Sequence, residues 1–512
     1  MTENFFSLLQ YAFSSNPGGP ALLLADRDDL TYADLERWSA RFAGTLGDLG
    51  VTPGDRVLVQ TGKSPEAVGL YLGCLRLGAI YVPINTAYTD EEVAYFLTDA
   101  TPALFVCSVE RQASLAARVE ALGTRTAVRS LGTRGDGSLM EALVPADERR
   151  AVPVASRTAD DVAAILYTSG TTGRSKGAML THGNLATSGV VLVDYWGWQN
   201  DDVLLHALPI FHVHGLFVAM HCAMLKATPM IFLPGFETAA VLDALPRATV
   251  MMGVPTFYTR LLNDPTLDRS RCARMRLFIS GSAPLTSQTF AAWEDRTGHR
   301  ILERYGMSET MMNTSNPLEG ERVAGTVGFP LPGVSLRIAS PTGVPLPHGE
   351  VGVIEVRGPN VFKGYWQMPE KTAEEFRADG FFITGDQAVM DAHGRVSIVG
   401  REKDMIISGG YNVYPKEIEA LLDAMDEVTE SAVIGVPHPD FGEGVVAVVV
   451  PAAGEVGAPL VEAALAGKLA RFKQPKAVVN VPELPRNAMG KVQKNALRRT
   501  YADLLTGGST HG

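Results

Sequence analysis

The run YTSGTTGRSKGAMLTHGNL, residues 167–185, decides how the rest of the chain is read. The apolar residues Val162 to Leu166 lead into it and an amphipathic pattern follows it. Between them, Gly, Ser, Thr, Arg and Lys offer unobstructed backbone N–H groups, hydroxyls and two cations, a composition suited to a polyphosphate. Glycine lets the main chain approach an anion closely. The run is not a Walker loop, because Gly170 and Gly173 are too close together and Lys176 follows Ser175. The plain alternative is a Gly/Ser/Thr turn.

Working outward, 512 residues allow about three units at ~150 residues each. The net charge of −11 argues against a broad nucleic-acid footprint but leaves room for a local basic pocket. Cys74, Cys107, Cys222 and Cys272 are scattered and suggest neither a disulfide framework nor a zinc site. The expected compartment is therefore reducing and cytoplasmic. The opening MTENFFSLLQYAF lacks a basic n-region and does not read as a signal peptide. The apolar region around Leu216 to Leu233 is broken by His221, Lys226 and Pro229, so it reads as core and no membrane span is expected.

RVLVQ (56–60), PEAVGLYLGCLRLG (65–78) and AIYVPIN (79–85) alternate strand, helix and strand, and ALFVCS (103–108) extends the series. Such alternation predicts a parallel sheet with helices on its faces. The pattern restarts at VAAILYT (162–168) and continues through VLLHALP, MIFLP, TVMMGVP and MRLFISGSAPL, which predicts a second wound unit before about residue 330. From Gly328 to Val399, short alternating runs punctuated by Gly and Pro predict a small antiparallel β unit. The tail reads as a small α+β domain. The predicted fold class is α/β, with a large domain over residues 1–401 and a small mobile domain over 402–512.

Seven motifs then stack in order: YTSGTTGRSKGA (167–178), LPIFHVHG (208–215), GSAPL (281–285), ERYGMSET (303–310), FFITGD (381–386), GREKDMIISGGYNVYPKEIE (400–419) and PRNAMGKVQKNAL (485–497). Together they resemble the adenylate-forming superfamily of acyl-CoA synthetases, adenylation domains and luciferases, over residues 20–500. The chemistry of that family has a physical reason. A carboxylate is a poor acyl donor until condensation with ATP gives an acyl-adenylate, which a thiol can then attack. Bringing an anion to a polyanion requires positive charge where charge develops.

The resemblance implies roles residue by residue. Thr168, Ser169, Gly170, Thr171, Thr172, Gly173 and Lys176 match the phosphate loop, and Glu303 joins the ATP-binding set. Glu309 matches the glutamate associated with Mg²⁺, and Ser308 keeps the hydroxyl of the more usual Thr. Tyr305 matches the residue packed on adenine; Asp386 matches the ribose-binding acid, and Arg401 its partner. A core tyrosine and a turn-capping aspartate are the plain alternatives. Lys491 matches the adenylation lysine, with Lys494 assigned to solvent. Neutralisation of Lys491 by a lysine acetyltransferase would remove the cation the first step needs. Lys403 falls at the family's domain hinge, and Gly409, Gly410 and Tyr411 match the segment presented to CoA.

The acid needs other residues. Arg304 stands where the family more often has a small residue lining the acyl pocket, and would pair with a second carboxylate. Arg260 in GVPTFYTRLL is expected on a helix directed to the same pocket, with a surface or helix-end role, paired to Glu303 or Glu294, as the alternative. His212 matches the histidine near the acyl carboxylate, His214 would line the same wall, and Ser282 would lie along the acyl chain. GVPTFYTRLL, LFISGSAPL, LERYGMSETMMNTSNP and PNVFKGYW look most like the malonate-activating members. The expectation is an AMP-forming ligase for malonate, with methylmalonate also accepted and with ATP, CoA and Mg²⁺ required. The alternatives are a ligase for another short acid, a stand-alone domain loading a carrier protein, a luciferase-like oxygenase and a non-catalytic nucleotide binder.

Overall fold

The computed structural model describes residues 3–143, 152–168, 175–409, 411–487 and 490–506. Helix boundaries follow local chemistry. Thr31 caps Tyr32–Asp48 in a box closed by Asp34. Ser64 caps Pro65–Leu77, with Pro65 at the first helical position and Gly78 (φ +74°) ending it in the left-handed region. These two helices pack face to face. A Cβ on Gly73 would lie 2.5 Å from Phe42 Cβ and 3.0 Å from Ala43 N, so the close approach needs glycine.

Among the described residues the strands form four sheets. A six-stranded sheet runs in the order Ala127–Ser130, Leu104–Cys107, Arg56–Gln60, Ile80–Pro83, Val162–Thr168, Lys176–Thr181. A nine-stranded sheet has the parallel core Leu277–Ser280, Val250–Gly253, Leu204–His206 and Met230–Phe232. Leu302–Tyr305 continues it in parallel on one side and Pro20–Leu23 on the other. An antiparallel sheet of four strands spans Ser335–Ala339 to Val396–Arg401, and a five-stranded sheet holds the C-terminal strands from Ile406 onward.

The α/β architecture, with one large and one small domain, is therefore as expected. One expectation needs correction. VAAILYT does not open the second unit: Val162–Thr168 lies in the first sheet, parallel to Ile80–Pro83 through the Tyr81↔Ala164 register. The second sheet instead recruits Pro20–Leu23 from the start of the chain. Strands buried on both faces read as uniform apolar runs, so sequence pattern carries no information on which sheet they join. Leu216 to Met220 and Met230 to Leu233 are core, as read from the sequence. Among the described residues no helix is long and apolar enough to cross a membrane.

Gly73→Val is expected to force the two capped helices apart and lower stability by ~1–3 kcal/mol, the usual range for overpacking. Urea unfolding with an unchanged midpoint would show that the contact is not tight.

Candidate active site

Ligands of parallel sheets bind beyond the carboxyl ends of the strands. Several of the predicted residues follow strands of the nine-stranded sheet. Leu204–His206 leads to His212 and His214, Leu277–Ser280 to Gly281 and Ser282, and Leu302–Tyr305 to Ser308 and Glu309. In Leu302–Tyr305, alternation sends Glu303 and Tyr305 to one face and Arg304 to the other.

On the Tyr305 face, the Tyr305 hydroxyl donates to Asp386 Oδ2 at 2.6 Å, and Arg401 Nε lies 2.8 Å from Asp386 Oδ1. Asp386 and Arg401 are register partners on adjacent strands, so Asp386 is a strand residue and not a cap. Glu303 accepts from Gly325 N–H at 3.3 Å, and burial pushes its carboxyl up to about 7.

Thr168 and Lys176 close a strand pair. Ser169, Gly170, Thr171, Thr172 and Gly173 lie outside the described residues. Lys176 Nζ meets Glu375 Oε1 at 2.7 Å and sits 4.1 Å from the Tyr365 ring centroid. Tyr365 Oη lies 2.6 Å from Glu375 Oε2 and 3.2 Å from Glu309 Oε1. Glu309 is buried, which raises its carboxyl above the usual range. The sequence reading missed Tyr365 and Glu375. The only signal was a tyrosine flanked by glycine in PNVFKGYW, ten residues before an ordinary-looking acid.

Among the described residues no group of three or more His, Cys, Asp or Glu gathers as a metal cage. One buried carboxylate beside a phosphate-loop lysine does suit Mg²⁺ carried in by phosphates, since Mg²⁺ takes one or two carboxylates plus phosphate oxygens.

On the opposite face, Arg304 is 3% exposed, and its Nε and Nη2 find no acceptor among the described residues. Burial lowers its guanidinium to about 10, which leaves it charged at neutral pH. Its Nη1 would lie 2.4 Å from a Cβ at position 281, so Gly281 vacates the space the guanidinium fills. Ser282 sits at φ +71°, a strained value for a residue with a side chain. Its hydroxyl lies 3.2 Å from His214 Nδ1, while His214 Nε2 is buried without a partner among the described residues. His212 Nδ1 accepts from His214 N–H at 3.3 Å. Burial, then Arg304, then Lys491 hold His212 down to about 4, so it is neutral at pH 7. Both cations therefore act on one imidazole.

Arg260 behaves differently. It lies on the expected helix, Pro255–Leu262, but is exposed and carries no ion pair among the described residues. Glu294 pairs with Arg300 instead, and Glu303 faces Gly325. The two arginines are thus not a matched buried pair.

Lys491 is half-buried at the mouth of the cleft. Burial, with Arg401 and Lys403 nearby, holds its ammonium down to about 8. Asn487 Oδ1 accepts from Lys491 N–H at 3.0 Å, and Arg486 Nη1 donates to Gly490 O at 2.6 Å. Gly490 (φ +70°) faces Thr256 Oγ1 of the large domain, which lies 2.8 Å from where a Cβ would stand. Lys494 is not solvated as expected: it pairs with Glu419. Lys403 lies in the short turn Glu402–Asp404 between the last strand of the four-stranded sheet and the first of the C-terminal one. Gly409 (φ +59°) packs on Phe441, Gly410 lies outside the described residues, and Tyr411 is 60% exposed and stacked on Phe472.

Tyr305 and Asp386 thus lie on one side of a strand and Arg304 on the other, with Lys491 close enough to Asp386 and His212 to act on both, in a fold whose class is that of enzymes activating carboxylates on ATP. The chain belongs to the AMP-binding enzyme family of adenylate-forming acyl-CoA synthetases. That family matches residues 9–366, and its C-terminal domain matches 417–491. Among solved structures, ATP-bound MatB from Rhodopseudomonas palustris is 54% identical, with a TM-score of 0.95, over 99% of this chain and 100% of that one. The apo structure of the same protein gives 0.84 at the same coverage. Among curated relatives, a feruloyl-CoA synthase from Amycolatopsis is 37% identical, covering 92% of this chain and 94% of its own length. The mitochondrial malonate–CoA ligase ACSF3 from Mus musculus is 38% identical, covering 82% and 77%.

A group whose pKa is raised in the folded state binds a proton that the unfolded chain has already released. Glu303 therefore lowers stability progressively between pH ~4.3 and its folded value of about 7. Glu303→Gln is expected to raise Tm more at pH 8 than at pH 5; an equal change at both would refute the burial effect.

Proposed function

We propose that the chain is an ATP-dependent, AMP-forming malonate–CoA ligase that also accepts methylmalonate. The observation that carries this reading is the buried Arg304 guanidinium, which has no carboxylate partner among the described residues. Leaving such a charge uncompensated is costly, and a ligand carboxylate would supply the missing partner. A fatty or aryl tail would not. Relatives that act on malonate share the fold and support the assignment. An aryl-acid ligase is a relative of similar identity, so the acid has to be argued from Arg304 rather than from likeness. One methyl group is worth only ~1–3 kcal/mol of discrimination, which is why methylmalonate is included.

In this reading, Thr168, Lys176 and the loop between them receive the β- and γ-phosphates, and Lys176 exchanges Glu375 for them. Ser308 adds a hydroxyl beside the nucleotide, and Glu303 and Tyr305 form the wall facing it. Tyr305 packs on adenine, and Asp386, oriented by Arg401, accepts from the ribose hydroxyls. Glu309 would hold Mg²⁺ together with the phosphates, and the ion would offset their charge. Arg304, with His214 and Ser282, holds the far carboxylate, and neutral His212 borders the near one. Arg260, at the rim, would add charge to the approach of the diacid.

Lys491 bridges the near carboxylate and the α-phosphate. A carboxylate oxygen attacks the α-phosphorus, the bond to the bridging β-oxygen breaks, and pyrophosphate leaves. Rotation about Lys403 would then withdraw Lys491 and bring Gly409, Gly410 and Tyr411 to the cleft. The CoA sulfur attacks the acyl carbon as the bond to AMP breaks, and the thiol proton is lost. The exposure of Tyr411 supports such a second arrangement. Acetylation of Lys491 by an acetyltransferase would switch off the first step only; its lowered ammonium value leaves more reactive amine at neutral pH than an ordinary lysine has.

Arg304→Ala is expected to lower kcat/KM for malonate by ~10²–10³-fold, the scale of a truncated buried charge pair, and far less for acetate or propionate. Equal losses on all acids, measured as AMP release, would remove the diacid role. Lys491→Ala is expected to reduce malonate-dependent ATP–pyrophosphate exchange by ~10²-fold or more while sparing thioester formation from premade malonyl-AMP. Loss of both halves would point to misfolding.

A further inference from the structure

Lys63 is a second inward-facing basic side chain with no carboxylate partner among the described residues, and burial holds its amine well below the usual lysine range. It lies in the turn between Arg56–Gln60 and the helix Pro65–Leu77, in the six-stranded sheet's unit, yet it reaches across to the nine-stranded sheet. Its Nζ is 2.7 Å from His206 Nδ1 and donates to His206 O at 2.8 Å, with the Phe232 ring centroid 4.3 Å away. No ion pair to Lys63 exists among the described residues, and neither the nucleotide chemistry nor the family motifs use it.

The hydrogen-bond pattern fixes the His206 tautomer. His206 Nε2 lies 2.9 Å from Gly215 O, which can only accept. Nε2 therefore carries the proton, Nδ1 is an acceptor, and Lys63 is its donor. Gly215 in turn is held tightly, because a Cβ there would lie 2.1 Å from Pro209 O. It opens the π-helical turn His214–Met220, and such turns are frequent at functional sites. The residue before it, His214, touches Ser282. An unbroken chain of contacts thus runs from Lys63 through His206 to Gly215, and from His214 to Ser282, next to the glycine on which Arg304 rests.

We propose that Lys63 is a positioning residue for acid recognition: by donating to both the ring and the carbonyl of His206, it ties the segment His212–Gly215 to the first sheet, so that the wall opposite Arg304 is preset before the acid binds. The inference rests on the reading of Arg304 as the acid's partner, but it concerns a residue that never touches the acid. Preorganisation of this kind acts on binding of one substrate and not the other.

The test is steady-state kinetics on Lys63→Met, Lys63→Arg, His206→Gln and the double variant Lys63→Met/His206→Gln. Wild-type activity across malonate, acetate and propionate comes first; preference for a monoacid would sink the malonate reading, and the Lys63 test then runs on the preferred acid. Lys63→Met is expected to raise the acid KM about tenfold, with KM for ATP within about twofold of wild type. Lys63→Arg, which can still donate twice, is expected to recover most of the loss. The double variant is expected to be no worse than the worse single one, because the two residues act in series. A parallel rise in both KM values, Lys63→Arg no better than Lys63→Met, or losses that multiply in the double variant would overturn the proposal. Where Lys63→Met fails to fold, the same KM split in His206→Gln decides it.

Discussion

An arginine and a lysine turned inward, with no carboxylate to meet them among the described residues, constrain much of what surrounds them. Desolvated charge is tolerated only when something offsets it. Here the protein supplies neutral hydrogen-bonding and aromatic neighbours: imidazoles beside Arg304, and a carbonyl, an imidazole and a phenyl ring beside Lys63. Neutrality of the imidazoles follows first from their burial and then from Arg304, which would repel a charged histidine beside it. The surroundings of Arg304 are therefore positively biased before any substrate enters, even though the whole chain carries a net charge of −11.

A single strand separates the two halves of the chemistry. Leu302–Tyr305 presents Tyr305 to Asp386 and Arg304 to Gly281, on opposite sides of one backbone. Since side chains alternate with a period of two, a one-residue slip would exchange the nucleotide and acid faces. The strand is pinned against this by the antiparallel partner Thr314–Ser315 and by Asn316, whose side chain donates to Glu303 O and to Thr326 O.

The nucleotide side was largely legible in the sequence, because glycines, hydroxyls and acids at family spacing sit in contiguous runs. Asp386 and Arg401, and Glu309 and Lys176, were singled out that way, and the structure brings each pair close together. What was not legible depends on contacts between distant segments. Glu375 meets Lys176 across about 200 positions, and Lys63 meets His206 across more than 140; neither pairing leaves a local pattern. Assignment of Val162–Thr168 to the wrong sheet has the same origin, since an apolar strand does not advertise its neighbour. Arg260 was placed on the right helix, but helical periodicity alone did not show that it would be exposed.

Gly490 has one more consequence. The loop ahead of Lys491 meets the large domain where a glycine hydrogen faces a threonine hydroxyl, with no room for a methyl group. Docking of the small domain is thus gated by shape at a point with no part in bond making. Because Gly490 also sits at φ +70°, a side chain there would be strained in its own backbone as well as crowded against Thr256. The placement of Lys491 against the large domain therefore depends on one small surface contact, independently of how tightly any substrate is held.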